Sequence, residues 1–194
     1  MIIRKQFKFE GAHIVRNCSS DRCKKSLHGH SYIVELCLTA DGLDNGGMIV
    51  DFGLLKGTIG DVVDSFDHAH SIWNKEDDKY KGFMKSWSDR WITMPCTPSA
   101  ESYALMFFYI IDKIVKNTVF NNGEKNPRVH SVRVHETATG WAEAFRDDLE
   151  WVNYSLADII FSDGVRNEWK DVEMWEQLLN GTPFENPIVS QQIR

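Results

Sequence analysis

Apolar and polar positions alternate along residues 2–9, with Ile3, Lys5, Phe7 and Phe9 on one parity and Arg4, Gln6 and Lys8 on the other. Period two predicts a strand. Residues 30–38 repeat the pattern: Tyr32, Val34, Leu36 and Leu38 alternate with Ser31, Ile33, Glu35 and Cys37. The turn formers Asp41-Gly42 and Asn45-Gly46-Gly47 predict a loop. After Asp51, a suitable N-cap, the period changes. Phe52, Leu55, Ile59, Val62, Val63 and Phe66 recur every three or four positions, as on one face of a helix. Gly53, Gly57 and Gly60 each weaken that helix by up to about 1 kcal/mol relative to alanine, so it must lean on packing.

A second helix is expected from Pro98, with Glu101 near its positive end. Its buried face is Ala100, Tyr103, Ala104, Phe107, Phe108, Ile111, Ile114 and Val115, and Asn121-Asn122-Gly123 is expected to stop it. Two more strands are expected at 128–136 and 140–146. The order ββααββ points to an α+β fold, an antiparallel sheet with two helices on one face. Residues 147–194 carry Trp151, Trp169 and Trp175 among many acids, with a helix expected at 169–179 and ended by Gly181. They are read as a helical C-terminal extension packed on the domain formed by residues 1–146.

Composition narrows the function classes. The 194 residues include 22 basic and 28 acidic side chains, a net charge of −6, which disfavours a diffuse nucleic-acid or anionic-membrane surface. The longest apolar run, 103–111, is nine residues, where a membrane span needs about 20. Met1 leads straight into the charged alternating segment, so no signal peptide is expected. Four cysteines are too few for a disulfide scaffold in a chain this long. A cytoplasmic globular protein is the expectation.

The informative chemistry is His28-Gly29-His30 with His13 upstream. Histidines two apart on a strand face the same way, and three imidazoles with an open fourth position are the donor set of a catalytic zinc site. Cys23 lies among Arg22, Lys24 and Lys25, cations that favour a reactive thiolate. A solvated basic loop, or a fourth ligand closing a structural site, remain alternatives for it. Asp67-His68, with His70 close by, offers an imidazole oriented by a carboxylate. Glu101 and Glu136, flanked by hydroxyl residues such as Ser99 and Thr137, suit a guanidine-like ring edge, or else a helix cap and a ladder end.

Together these pieces resemble the 6-pyruvoyl- and 6-carboxy-tetrahydropterin synthase family. The matching segments are Phe7-Lys8-Phe9-Glu10-Gly11-Ala12-His13, Cys23, His28-Gly29-His30-Ser31-Tyr32, Gly47-Met48-Ile49-Val50-Asp51-Phe52, Asp67-His68, Pro98-Ser99-Ala100-Glu101 and His135-Glu136-Thr137. They run in the same order over residues 1 to about 145. The resemblance implies the tunnelling fold, zinc on His13, His28 and His30, and Cys23 with Asp67 and His68 as the proton-moving groups. It also implies pterin binding by Glu136, helped by Glu101, Ser99, Ala100 and Thr137. The implied substrate is 7,8-dihydroneopterin triphosphate, and the implied assembly a trimer or hexamer with pockets between subunits. The carboxy branch, which feeds queuosine synthesis, is favoured. A pyruvoyl synthase and a non-catalytic zinc or pterin-binding paralogue are the alternatives. The offset of five from Cys23 to His28 does not choose between branches. Residues 71–96 and 147–194 exceed a compact family member.

Overall fold

A computed structural model describes residues 1–187 of the chain. Strands β1 (Ile2–His13) and β2 (His28–Thr39) pair antiparallel along their full length, from Ile2 opposite Thr39 to His13 opposite His28. Both run further than alternation alone suggested, because Gly11 and Gly29 prolong the ladder without adding to the hydrophobic pattern. Phe9, Tyr32, Val34, Leu36 and Leu38 line the buried face. Between the strands lies α1 (Asp21–Lys25), a single turn of helix with no buried residue.

The single helix expected after Asp51 is two, α2 (Gly53–Lys56) and α3 (Thr58–Asp64). The break falls at Gly57, whose φ and ψ of −89° and −116° leave the helical region. Asp51 accepts the Gly53 N–H at 2.6 Å, close to the cap expected of it. Leu55, Ile59, Val62, Val63 and Phe66 are buried as expected, but Phe52 is 43% exposed.

Residues 69–94 then form β3 (Ala69–Trp73), α4 (Asp78–Trp87) and β4 (Trp91–Met94). Helix α5 (Ala100–Lys116) starts two residues later than expected. Ser99 is its N-cap, accepting the Ser102 N–H at 3.2 Å, and Pro98 precedes the cap. All eight residues of its expected face are buried. It ends before Asn121-Asn122-Gly123, because β5 (Thr118–Phe120) begins there. β6 (Arg128–His135) and β7 (Trp141–Phe145) follow.

The sheet is not wholly antiparallel. Its seven strands run β7-β6-β2-β1-β3-β4-β8, where β8 is Ile160–Phe161. The first four are antiparallel neighbours, whereas β3 pairs parallel with β1 and β4 parallel with β3. β3 and β4 have only five and four residues, too short for periodicity to announce them. Helix α3 packs on β1, and α5 on β6 and β7.

The C-terminal segment is less helical than expected. After two 3-10 turns and β8 come α6 (Asp163–Arg166), α7 (Met174–Asn180) and β9 (Phe184–Asn186), which pairs with β5. Trp169 lies ahead of α7 and is buried. Its indole Nε1 donates to Ser65 Oγ at 2.8 Å, and the next backbone N–H, of Lys170, donates to Asp61 at 2.8 Å. Gly181, at φ 72°, ends α7 in the left-handed region that glycine adopts without strain.

Candidate metal centre

The β1–β2 register builds the centre. His13 stands opposite His28, and His30 opposite Gly11, so all three rings share a face at one end of the ladder. Their candidate ligand atoms lie within 4.8 Å of one another, the one such cluster among the described residues. The close approach of the strands here requires glycine. A Cβ on Gly29 would lie 2.8 Å from the Gly11 carbonyl oxygen.

Backbone carbonyls orient two of the rings. His13 donates from Nδ1 to Pro98 O at 2.5 Å, and His28 from Nδ1 to Ser26 O at 2.9 Å. Each bond leaves Nε2 as the free lone pair, the usual arrangement behind a metal-binding imidazole. His13 is fully buried, which pulls its pKa down to about 4, past the opposing bond to Pro98 and helped by the neighbouring His28 and His30. A neutral ring is the form that binds metal. The donor set therefore fits a first-row ion such as zinc, with three protein ligands.

Two groups border the cluster. The Tyr32 hydroxyl lies 3.4 Å from His13 Nε2, its phenol pKa pushed up by burial. Tyr32 is one alternation beyond His30, and that parity was the signal that could have marked it. Glu136, at the end of β6, places Oε1 3.8 Å from His13 Nε2 and 3.9 Å from His30 Nε2. Thr137 beside it accepts the Gly140 N–H at 2.9 Å, so its hydroxyl shapes the β6–β7 turn.

Cys23 sits half-buried in α1, and its sulfur is not part of the histidine cluster. The cations expected around it are partly engaged elsewhere, since Lys24 and Lys25 both pair with Asp21 at 2.8 Å. Asp67 and His68 form a compact clamp. Asp67 accepts His68 Nδ1 at 2.8 Å and the Glu10 N–H at 2.7 Å, and the His68 N–H donates to Glu10 O at 2.7 Å. Burial raises the Asp67 carboxyl, but the bonds from Glu10 and His68 outweigh it and hold the pKa below the ordinary range. The exposed His68 ring borders a cleft of about 500 Å³ shared with Glu10, Leu27, His30, His70 and Met84. His70 is buried, which pulls its pKa down to about 4. It hydrogen-bonds the Tyr80 hydroxyl at 3.0 Å and stays outside the histidine cluster.

Ser99 caps α5, Ala100 is buried beneath it, and exposed Glu101 borders a separate cleft of about 280 Å³ with Glu143, Asp148 and Trp151.

Comparison with known proteins gives a consistent result. The family described as 6-pyruvoyl tetrahydropterin synthase matches residues 2–147. A 6-carboxy-5,6,7,8-tetrahydropterin synthase of Helicobacter pylori strain J99 is 42% identical over 184 residues, 93% of this chain and 92% of the relative. The protein of the same name from Helicobacter pylori strain 26695 is 41% identical over the same span. Among solved structures, an uncharacterised Wolinella succinogenes protein superposes with a TM-score of 0.58 at 18% identity, covering 75% of this chain and 98% of that one. The 6-pyruvoyl tetrahydropterin synthase of Caenorhabditis elegans superposes with a TM-score of 0.51 at 21% identity, covering 75% and 94%. These two likenesses establish the fold.

Proposed function

Because this chain belongs to the 6-pyruvoyl tetrahydropterin synthase family, we propose that it is the lyase of the carboxy branch. It converts 7,8-dihydroneopterin triphosphate and one water to 6-carboxy-5,6,7,8-tetrahydropterin, acetaldehyde and triphosphate, a step toward queuosine. The observation that carries this reading is the convergence of His13, His28, His30 and Glu136 at one end of the β1–β2 ladder.

His13, His28 and His30 would hold zinc, which when bound acts as a Lewis acid on the hydroxyls of the substrate side chain. Glu136 accepts the two parallel N–H groups of the pterin's aminopyrimidinone edge, a charge-assisted pair that fixes the ring. Cys23, as thiolate, removes a proton from the side chain. Asp67 on Nδ1 holds the His68 ring with Nε2 free to exchange the second proton.

The cleft that Glu101 borders includes neither Glu136 nor a histidine of the cluster, which supports a trimer or hexamer whose pockets lie between subunits. The α5 N-terminus of one copy would then complete the pterin site of another, with Thr137 shaping the loop beside Glu136. No described helix is long and apolar enough to cross a membrane, and all four cysteines are free, which supports a reducing compartment such as the cytoplasm.

The test is Cys23→Ala in zinc-loaded protein. Expected is full metal content with turnover lost. Loss of metal would move the sulfur into the ligand shell, and retained turnover would remove Cys23 from the chemistry.

A further inference from the structure

The segment that carries Cys23 cannot hold itself in place. Helix α1 has five residues, no buried side chain and no side-chain N-cap bond. A helix that short is unstable alone, so its position depends on what grips it. Two adjacent residues of the chain leaving β1 do so. The Val15 N–H donates to the Cys23 carbonyl at 3.1 Å, and Arg16 Nη1 donates to the Lys24 carbonyl at 2.7 Å.

Arg16 is itself anchored from the other side. Its Nε donates to Glu76 Oε2 at 2.6 Å, and Glu76 belongs to the 71–96 insertion, with its side chain only 10% exposed. The guanidinium lies 5.7 Å from the Tyr80 ring centre, and Tyr80 in turn hydrogen-bonds buried His70 on β3. A continuous set of contacts therefore runs from the sheet through the insertion to the backbone beside Cys23. A forked guanidinium can serve the carbonyl and the carboxylate together, whereas an ammonium is a single point of charge.

We propose that Arg16 is a positioning residue, braced by Glu76 of the insertion, that holds the Cys23 thiol in its working position. This rests on the reading of Cys23 as the proton-abstracting group. It gives the insertion a role: it supplies the fixed end of the brace.

The experiment compares Arg16→Ala, Arg16→Lys, Glu76→Gln and Cys23→Ala as full-length, zinc-loaded proteins. It measures kcat and KM for 7,8-dihydroneopterin triphosphate, bound zinc, and the rate of Cys23 alkylation by iodoacetamide. For Arg16→Ala, a displaced thiol lowers kcat roughly 10–100-fold while KM changes less than about threefold. Zinc content stays at the wild-type level, and Cys23 alkylates several-fold faster as the loop loosens. Arg16→Lys recovers part of kcat, and Glu76→Gln shifts both readouts in the same direction by less. If Cys23→Ala is inactive while Arg16→Ala keeps wild-type kcat and alkylation rate, the brace is overturned. A fall in kcat that tracks zinc loss, with alkylation unchanged, overturns it too and assigns Arg16 a merely structural role. Wild-type turnover by Cys23→Ala would instead defeat the functional reading, and the alkylation rates would still decide whether Arg16 holds the loop.

Discussion

His13 donates from Nδ1 to the carbonyl of Pro98 at 2.5 Å, tying the end of β1 to the residue before the cap of α5. The two are 85 positions apart in sequence, so the orientation of a deeply buried ring depends on the sheet and the longest helix packing correctly. The histidine cluster is thus a product of tertiary structure as well as of the His28-Gly29-His30 motif.

His28 and His13 should respond differently to truncation. His28 is half-buried, so His28→Ala is expected to lose zinc while keeping its thermal midpoint in the metal-free state. His13→Ala also empties a fully buried position and strips the Pro98 carbonyl of its donor, costing about 1–3 kcal/mol of metal-independent stability. Metal analysis with metal-free denaturation of both variants checks this. Equal stability of the two would contradict it.

Gly29→Ala places a Cβ 2.8 Å from the Gly11 carbonyl, backbone against side chain with no flexible group to move aside. The strands must separate between His28 and His30. A loss of about 1–3 kcal/mol of stability is expected, together with weaker zinc binding in a competition titration.

Asp112 on α5 gives an acid-sensitive contribution. Burial raises its pKa, but hydrogen bonds from Arg146 and Lys116 outweigh this and the net shift is downward. A carboxylate whose folded pKa is depressed stabilises the fold above its unfolded pKa, ordinarily 3.8, and loses that contribution as pH falls through the folded value. Asp112→Asn is therefore expected to cost about 1–3 kcal/mol at neutral pH. The deficit against wild type should shrink below about pH 4. Urea denaturation across pH tests this, and a deficit that stays constant into acid would contradict it.

The C-terminal segment is expected to be integral to the fold. Trp169 is 5% exposed, stacks edge-on against Phe161 with ring centres 5.3 Å apart, and bonds Ser65 at the end of α3. Trp169→Ala should cost about 3–5 kcal/mol, whereas Phe83→Ala, at a position 61% exposed, should change stability little. Similar thermal midpoints for the two variants would count against an integral segment.

Much of this was legible in the sequence, for identifiable reasons. The eight-residue face of α5 was readable because a long amphipathic helix repeats its period several times. The histidine trio was readable because period two fixes the face of His28 and His30, and His13 closes the preceding strand. β3 and β4 were not readable, since four or five residues carry too little pattern and parallel pairing leaves no local mark. The break at Gly57 was hidden because the apolar residues keep helical spacing across it. The Pro98 carbonyl and the Arg16–Glu76 pair were invisible for another reason: a backbone acceptor has no residue signature, and partners 60 positions apart share no spacing rule.

The most direct measurement is identification by mass spectrometry of what zinc-loaded protein makes from 7,8-dihydroneopterin triphosphate. The expected result is 6-carboxy-5,6,7,8-tetrahydropterin with stoichiometric acetaldehyde and triphosphate. A 6-pyruvoyl product would place the chain in the other branch, and no consumption by fully metallated protein would contradict the assignment as an enzyme of this reaction.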